Sequence, residues 1–352
     1  MSELASQGVP GLDLDVFARW FDAQRPGEGA GDLRARVIAG GKSNLTYEVT
    51  DGTSWWIVRR PPLGHVQATA HDMNREYTAM TALADTDVPV PLTFAHCSDT
   101  AVLGAEFYVM QHVRGTPYRT KEQLGAIGPE RADAVAAEMI DVLARLHAVD
   151  PAAVGLADFG RPAGFLARQV KRWGRQLDGS RSRDLPDADL LLARLGESVP
   201  ASDGGDGSGA TIVHGDYRLD NLLVVAEESP AVKAVVDWEM ATLGDPLTDV
   251  ALLLVYDRLA TISGGDAVAD ASAAPGYPSR DVQLERYAAA SGRDLGEMGF
   301  HIGLAHLKLA VICEGIHFRF TQGQTVGDGF DSIGQAVEPM LAAGLAAMHE
   351  SG

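Results

Sequence analysis

Two stretches, His214–Val224 (HGDYRLDNLLV) and Lys233–Ala251 (KAVVDWEMATLGDPLTDVA), decide how this chain is read. Asp216 is followed five residues later by Asn221, with His214 two residues ahead, in the pattern H-x-D-x-x-x-x-N. Asp237 follows at the end of the apolar run Ala234–Val236, a placement that projects a carboxylate from a rigid strand end. Arg218 sits two residues past Asp216. Phosphoryl transfer from a nucleotide needs these groups: a carboxylate to receive the acceptor's proton, oxygen ligands for magnesium, and cations for the charge on the transferred group. A lone Asp after His-Gly is usually a turn or cap residue. Order, spacing and flanking strands together make the chemical reading the stronger one.

Working outward, Thr211–Val213, Leu222–Val225 and Val232–Val236 have strand character around this core. Before it, the spacing predicts helices over Ala134–His147, Gly164–Leu177 and Asp187–Leu195, the first with Val135, Met139, Val142, Leu143 and Leu146 on one face. ASDGGDGSGA at 201–210 has little to bury and reads as a mobile loop. After it, Pro246–Arg258, Ser279–Ser291, Gly299–Phe320 and Ala336–Met348 read as helices. The first third differs. A leading helix over Leu12–Gln24 precedes strands at Arg36–Ala39, Leu45–Thr50 and Ser54–Arg60, the last two joined by a tight Asp51-Gly52 turn. Asp72–Leu83 is helical, Val88–Pro91 a connection, and Glu106–Val113 a further strand. The expectation is an α+β protein in two lobes: 1–113, a small antiparallel sheet with one main helix, and 114–352, larger and mostly helical.

Composition narrows the partners. The 352 residues carry 29 Lys+Arg against 48 Asp+Glu, a net charge of −19, so a nucleic-acid backbone would be repelled. Two cysteines, Cys97 and Cys313, cannot form a disulfide framework, and His301, His306 and His317 lack companions at zinc-ligand spacing. Phe300–Phe320 is interrupted by His306, Lys308, Glu314 and His317, so it reads as a helix buried in protein rather than lipid. MSELASQGVPGLDLD has neither a basic nor an apolar signal region. The chain is expected in the cytoplasm, without membrane or nucleic-acid partners.

Taken together, GGKSNLTYEV, RRPP, NREY, LHAVDP, RQVKRW, HGDYRLDN and DWEMATLGDPLTDVA resemble the aminoglycoside phosphotransferase and choline-kinase-like family, over roughly Val37–Met348. Within it they look most like the kinase-like domains joined to acyl-CoA dehydrogenases. The resemblance implies a protein-kinase-like fold with ATP and Mg²⁺ between the lobes. It makes Asp216 the catalytic base, Asn221 and Asp237 the magnesium ligands, and Asp249 a structural carboxylate beneath the catalytic loop. Met110, Gln111 and Val113 would belong to the hinge against which adenine packs. Two features depart from the protein-kinase pattern. The G-x-G-x-x-G loop is missing, leaving Gly40, Gly41, Ser43 and Asn44 to cradle phosphate. The strand lysine is replaced by Arg59, with Glu76 as its partner, while Arg60 would face the other side of the strand.

The resemblance implies a kinase acting on the hydroxyl of a small molecule. A non-catalytic nucleotide-binding module on the same fold is the alternative. A protein acceptor is disfavoured, because Asp237 passes directly to GDPLTDVA without a long activation segment. Arg168, Lys171, Arg172 and Arg175 form a basic stripe at helical spacing. It is either a solvated face paired with nearby acids or a surface favouring an acceptor with phosphate or carboxylate, such as a hydroxyacyl-type alcohol, over polycationic aminoglycosides.

Overall fold

The computed structural model describes residues 4–5, 8–29, 31–38, 44–63, 72–204, 209–227, 229–263, 269–296, 298–324 and 332–349. The chain divides into two compact units, Met1–Gly115 with Lys233–Ala241, and Thr116–Val232 with Thr242–Gly352.

In the first unit α1 (Leu14–Gln24) starts at Asp13, whose carboxylate caps the helix by accepting from the Val16 amide at 3.0 Å. Five antiparallel strands follow: β1 (Arg34–Val37), β2 (Leu45–Thr50), β3 (Trp55–Arg60), β4 (Thr93–Cys97) and β5 (Phe107–Gln111), in the order β1-β2-β3-β5-β4. Between them lie α2 (Met73–Leu83) and the single turn α3 (Thr100–Leu103). Strand alternation sorts the sheet's faces. Trp56, Val58, Phe107 and Val109 pack with Phe17 and Phe21 of α1 in one core. Arg59 points to the opposite face, opposite Tyr108 in the β3–β5 register, and meets Glu76 of α2.

The β2–β3 connection is wider than the Asp-Gly pair suggests: Thr50 pairs with Trp55 across four loop residues. Asp51 Oδ1 accepts from the Thr53 and Ser54 amides at 2.8 and 2.7 Å, and Gly52 takes φ 92°, open to glycine at little cost. β4 is an addition to the predicted elements. TFAHC is short, carries a register shift against β5 and follows two prolines, so its sequence signal is weak.

The second unit is mainly helical: α4 (Lys121–Gly125), α5 (Pro129–Ala148), α6 (Phe165–Ser180), α7 (Pro186–Glu197), α8 (Leu247–Ser263), α9 (Arg280–Ser291), α10 (Met298–Thr321) and α11 (Val337–His349). Its short strands include β6 (Thr211–Val213), β7 (Leu222–Val225) and the start of β8 (Ala231–Val235), whose last residues belong to the first unit. β9 (Thr242–Gly244) pairs antiparallel with β6 and is a further addition to the predicted elements, since Thr-Leu-Gly lacks the β-branched run that marks Thr-Ile-Val in β6. α10 is long and apolar enough to cross a membrane by composition, but 83% of its apolar window is packed inside the protein. The 201–210 segment is corrected in part. Ala201–Gly204 forms a 3₁₀ turn, and Asp203 caps α6 by accepting from the Leu166 and Ala167 amides at 2.7 and 3.0 Å. Residues 205–208 lie outside the described residues.

Candidate active site

The first unit gathers a charged cluster around Arg59. Its Nε lies 3.3 Å from Glu76 Oε2, and its Nη2 is ion-paired with Asp237 Oδ1. Tyr108 Oη donates to Glu76 Oε2 at 2.9 Å, and Asn44 Nδ2 bridges Glu76 Oε1 at 3.2 Å and Glu239 Oε2 at 3.1 Å. β3 and α2 thus each deliver one charged group to the same place, and the turn after β8 delivers two, Asp237 and Glu239. Asp237 holds φ 70°, the one positive value for a non-glycine among the described residues. That left-handed backbone turns the chain out of β8 and into the Trp238–Met240 turn.

The electrostatics are unbalanced toward negative charge. Glu76 is fully buried. Burial pushes its carboxyl up to about 7; Arg59 opposes the rise and Asp237 adds to it. Burial also works against the Arg59 cation, but Glu76, Tyr108 and Asp237 hold it above its ordinary range. Ligand oxygens of Glu76, Asp237 and Glu239 lie within 4.8 Å of one another. Hard carboxylate oxygens in surplus over one guanidinium fit a magnesium ion, with Arg59 as the competing cation.

In the second unit, the segment between β6 and β7 is held from several sides. Asp249, on the first turn of α8, is completely buried. It accepts from the His214 amide at 2.6 Å and the Gly215 amide at 2.7 Å. His147 Nε2 lies 3.3 Å from the same carboxylate, and its Nδ1 is 2.7 Å from Tyr287 Oη. Burial opposes the Asp249 charge, but His147, His214 and the amides win and hold its carboxyl below the usual range.

This scaffold presents Asp216. Tyr256 Oη donates to Asp216 Oδ1 at 2.6 Å, and Asn221 Nδ2 donates to Asp216 Oδ2 at 3.1 Å and to its backbone oxygen at 2.8 Å. Those bonds use only the amide nitrogen, and Asn221 Oδ1, the atom of the amide able to bind a cation, has no hydrogen bond among the described residues. Arg218 Nε is 3.5 Å from Asp216 Oδ2 and 3.1 Å from Asp220 Oδ1. Lys308 of α10 donates to the Gly215 oxygen at 2.7 Å, with its ammonium 5.7 Å from the centre of the Trp173 ring. Burial works against the Asp216 charge; Arg218, Lys308, Tyr256 and His214 outweigh it and lower its pKa.

Of the residues predicted from sequence, Asn44, Arg59, Glu76 and Asp237 meet in the first unit, and Asp216, Arg218 and Asn221 in the second. Met110 and Gln111 end β5, where the Gln111 side chain is exposed, and Val113 follows the strand half-buried. Ser43, with Gly40 and Gly41, lies outside the described residues. Arg60 is turned away from the cluster, donating to the Gly11 and Leu103 oxygens. Sequence reasoning missed Tyr256 and Lys308, which reach Asp216 and Gly215 from 40 and 93 residues away. No local pattern marks contacts of that span.

The sequence pattern of the "Phosphotransferase enzyme family" matches residues 34–298. Acyl-CoA dehydrogenase family member 11 of Gallus gallus is 32% identical over 91% of this chain, and the Homo sapiens protein 31% identical over 87%. The chain spans 41% and 39% of those two relatives' lengths. A crystal structure from Ralstonia eutropha, described as a proposed aminoglycoside phosphotransferase, is 31% identical with a TM-score of 0.82, covering 96% of this chain and 98% of that one. Plasmodium vivax ethanolamine kinase superposes with a TM-score of 0.62 at 13% identity, covering 95% of this chain and 87% of that one, a likeness of fold alone. The fold is α+β and protein-kinase-like.

Proposed function

The chain belongs to the phosphotransferase enzyme family, and on that premise we propose that it transfers the γ-phosphate of ATP to the hydroxyl of a small molecule. The observation that carries the proposal is the setting of Asp216. A carboxylate kept ionised, fixed through both oxygens and flanked by Arg218, suits an acceptor hydroxyl that must be oriented and deprotonated. In this reading the acceptor's O–H proton passes to Asp216, and its oxygen bonds to the γ-phosphorus as the bond to ADP breaks. Arg218 and Arg59 offset charge on the phosphates. Mg²⁺, held by Asp237 and Asn221, would neutralise the phosphate oxygens. Met110, Gln111 and Val113 are assigned to adenine, and Ser43 and Asn44 to phosphate. Asp216→Asn is expected to keep Mg·ATP binding and to lose turnover by about 10²–10⁴-fold. Mass spectrometry of a small-molecule extract incubated with Mg·ATP and either protein reads this out. Full activity of Asp216→Asn would overturn the role.

The competing reading, a non-catalytic nucleotide-binding module, draws on one feature: Arg59 occupies Asp237, the residue assigned to magnesium. A wild type that binds Mg·ATP yet phosphorylates nothing in the extract would favour it.

The basic stripe supports an anionic acceptor, such as a hydroxyacyl-type alcohol. Lys171, Arg172 and Arg175 are exposed on α6 and line a concavity of about 860 Å³ with Gly174, Asp178 and Leu192. None of the three is ion-paired to a carboxylate among the described residues. Arg168 instead folds back onto the Arg161 and Ala163 oxygens. Reversal of Arg172 and Arg175 to Glu is expected to raise the acceptor KM and spare that for ATP. An unchanged acceptor KM would remove the stripe from recognition.

A further inference from the structure

α8 holds the Asp216 loop at two points, not one. Asp249 and Tyr256 are seven residues apart, close to two helical turns, and so lie on one face of the helix. Asp249 takes the amides of His214 and Gly215, fixing the backbone. Tyr256 takes the side chains. Its hydroxyl donates to Asp216 Oδ1 at 2.6 Å, while the Arg218 guanidinium carbon lies 4.8 Å from the centre of its ring. A hydrogen bond to a carboxylate is short and directional, and an arginine plane over an aromatic face loses little of its freedom to water. One side chain therefore fixes both the carboxylate assigned to the acceptor's proton and the guanidinium assigned to the phosphates.

We propose that Tyr256 is a positioning residue for phosphoryl transfer, setting the rotamer of Asp216 through its hydroxyl and the plane of Arg218 through its ring. The proposal rests on the phosphotransferase reading above. It explains why Tyr256 is placed where it is: burial makes its phenol much harder to ionise, so the hydroxyl stays a donor to Asp216 at all ordinary pH values. Asn221 and Arg218 reach the other carboxylate oxygen, so without Tyr256 Oδ1 loses the one hydrogen bond described for it.

The two contributions separate by substitution. Tyr256→Phe keeps the ring and removes the donor, so kcat is expected to fall about tenfold while the KM for Mg·ATP stays within about twofold. Tyr256→Leu also removes the surface beneath Arg218, and the KM for Mg·ATP should then rise as well. A double-mutant cycle tests whether the effect runs through Asp216. In the Asp216→Asn background, Tyr256→Phe should change the residual rate less than about twofold, because its route is already broken. Loss of the same factor in both backgrounds would mean a merely structural role and overturn the proposal. Turnover is followed as the phosphorylated species formed in the cell extract with Mg·ATP.

A readout free of turnover keeps the two readings apart. In protein carrying ¹³Cζ-tyrosine, the Tyr256 resonance is assigned by its loss in Tyr256→Phe and should shift on Asp216→Asn. No shift would refute the contact itself. A shift with no phosphotransfer by wild type would overturn the phosphotransferase reading, and the positioning role with it. Active wild type with an equally active Tyr256→Phe would defeat this proposal alone.

Discussion

Glu76 in the first unit and Asp249 in the second are both carboxylates with no exposed surface, yet their protons are held in opposite senses. Burial drives the Glu76 carboxyl up to about 7, whereas Asp249 stays below the usual range. The difference lies in what surrounds each. Asp249 is met by two backbone amides and a histidine. Glu76 has a phenol, an amide and one guanidinium, but shares that guanidinium with Asp237 and lies close to Glu239 as well. Burial sets the cost of a charge; each group has three donors, so the like charges that crowd Glu76 and share its guanidinium decide whether that cost is met. A carboxylate whose donors are complete holds structure. A crowded group with surplus charge has room for a further cation, which is the basis of the magnesium proposal above.

The largest expected effect follows from that contrast. Asp249→Ala strands two amides that the carboxylate satisfied, and at about 1–3 kcal/mol each the loss of stability should come to roughly 3–5 kcal/mol. Glu76→Gln removes one of several like charges while keeping a group that can accept from Tyr108. Its cost should stay within about 1 kcal/mol. Urea unfolding of the two variants compares them directly. Equal destabilisation would break the contrast.

A smaller effect tests the surplus charge. With nucleotide absent, Mg²⁺ should raise the thermal midpoint of wild type, and Asp237→Asn should lose most of that rise. A cation at ten times its dissociation constant adds about 1.4 kcal/mol of stability. Identical shifts in both proteins would mean that the ion binds elsewhere, or that Arg59 cannot be displaced from Asp237.

The same contrast separates what was legible in the sequence from what was not. The Asp216–Asn221 spacing is legible because a single local turn brings the two together, whereas the Arg59–Glu76 pair follows from the family resemblance, since the strand WWIVRR carries no alternation that would single out Arg59. The sheet was read through β2 and β3 but without β4, whose five residues follow Pro89 and Pro91 and end at an edge. Asp203 was lost in a glycine-rich stretch that looked structureless, although its carboxylate caps α6. Tyr256 and Lys308 were out of reach for a different reason. Each sits in an ordinary helical pattern, and only tertiary packing turns it toward the Asp216 loop. The left-handed backbone of Asp237 is equally silent in sequence, because aspartate adopts it only where its surroundings require.

The smallest expected effect extends the cost of a buried charge from acids to a base. His306 is buried in α10; its Nδ1 lies 2.9 Å from the Ile302 oxygen, and its Nε2 finds no hydrogen-bond partner among the described residues. Nδ1 must then carry the proton in the neutral ring. A second proton on Nε2 would be buried with nothing to accept it. Burial accordingly lowers the His306 pKa from 6.5 to about 4, with Arg258 and Arg280 adding to the fall and the Ile302 oxygen opposing it. The unfolded chain takes up this proton below 6.5 and the folded chain does not until about 4. The stability contribution is therefore present above the first value and lost as pH falls toward the second, with a slope of at most about 1.4 kcal/mol per pH unit. His306→Gln removes the titration while keeping a polar side chain. Its urea midpoint should fall less than that of wild type between neutral and mildly acidic pH, whatever the absolute stability of the variant. Parallel losses in the two proteins would mean that His306 takes up its proton in the folded state as readily as in the unfolded one, and that the missing acceptor for Nε2 is supplied by a rearrangement of α10.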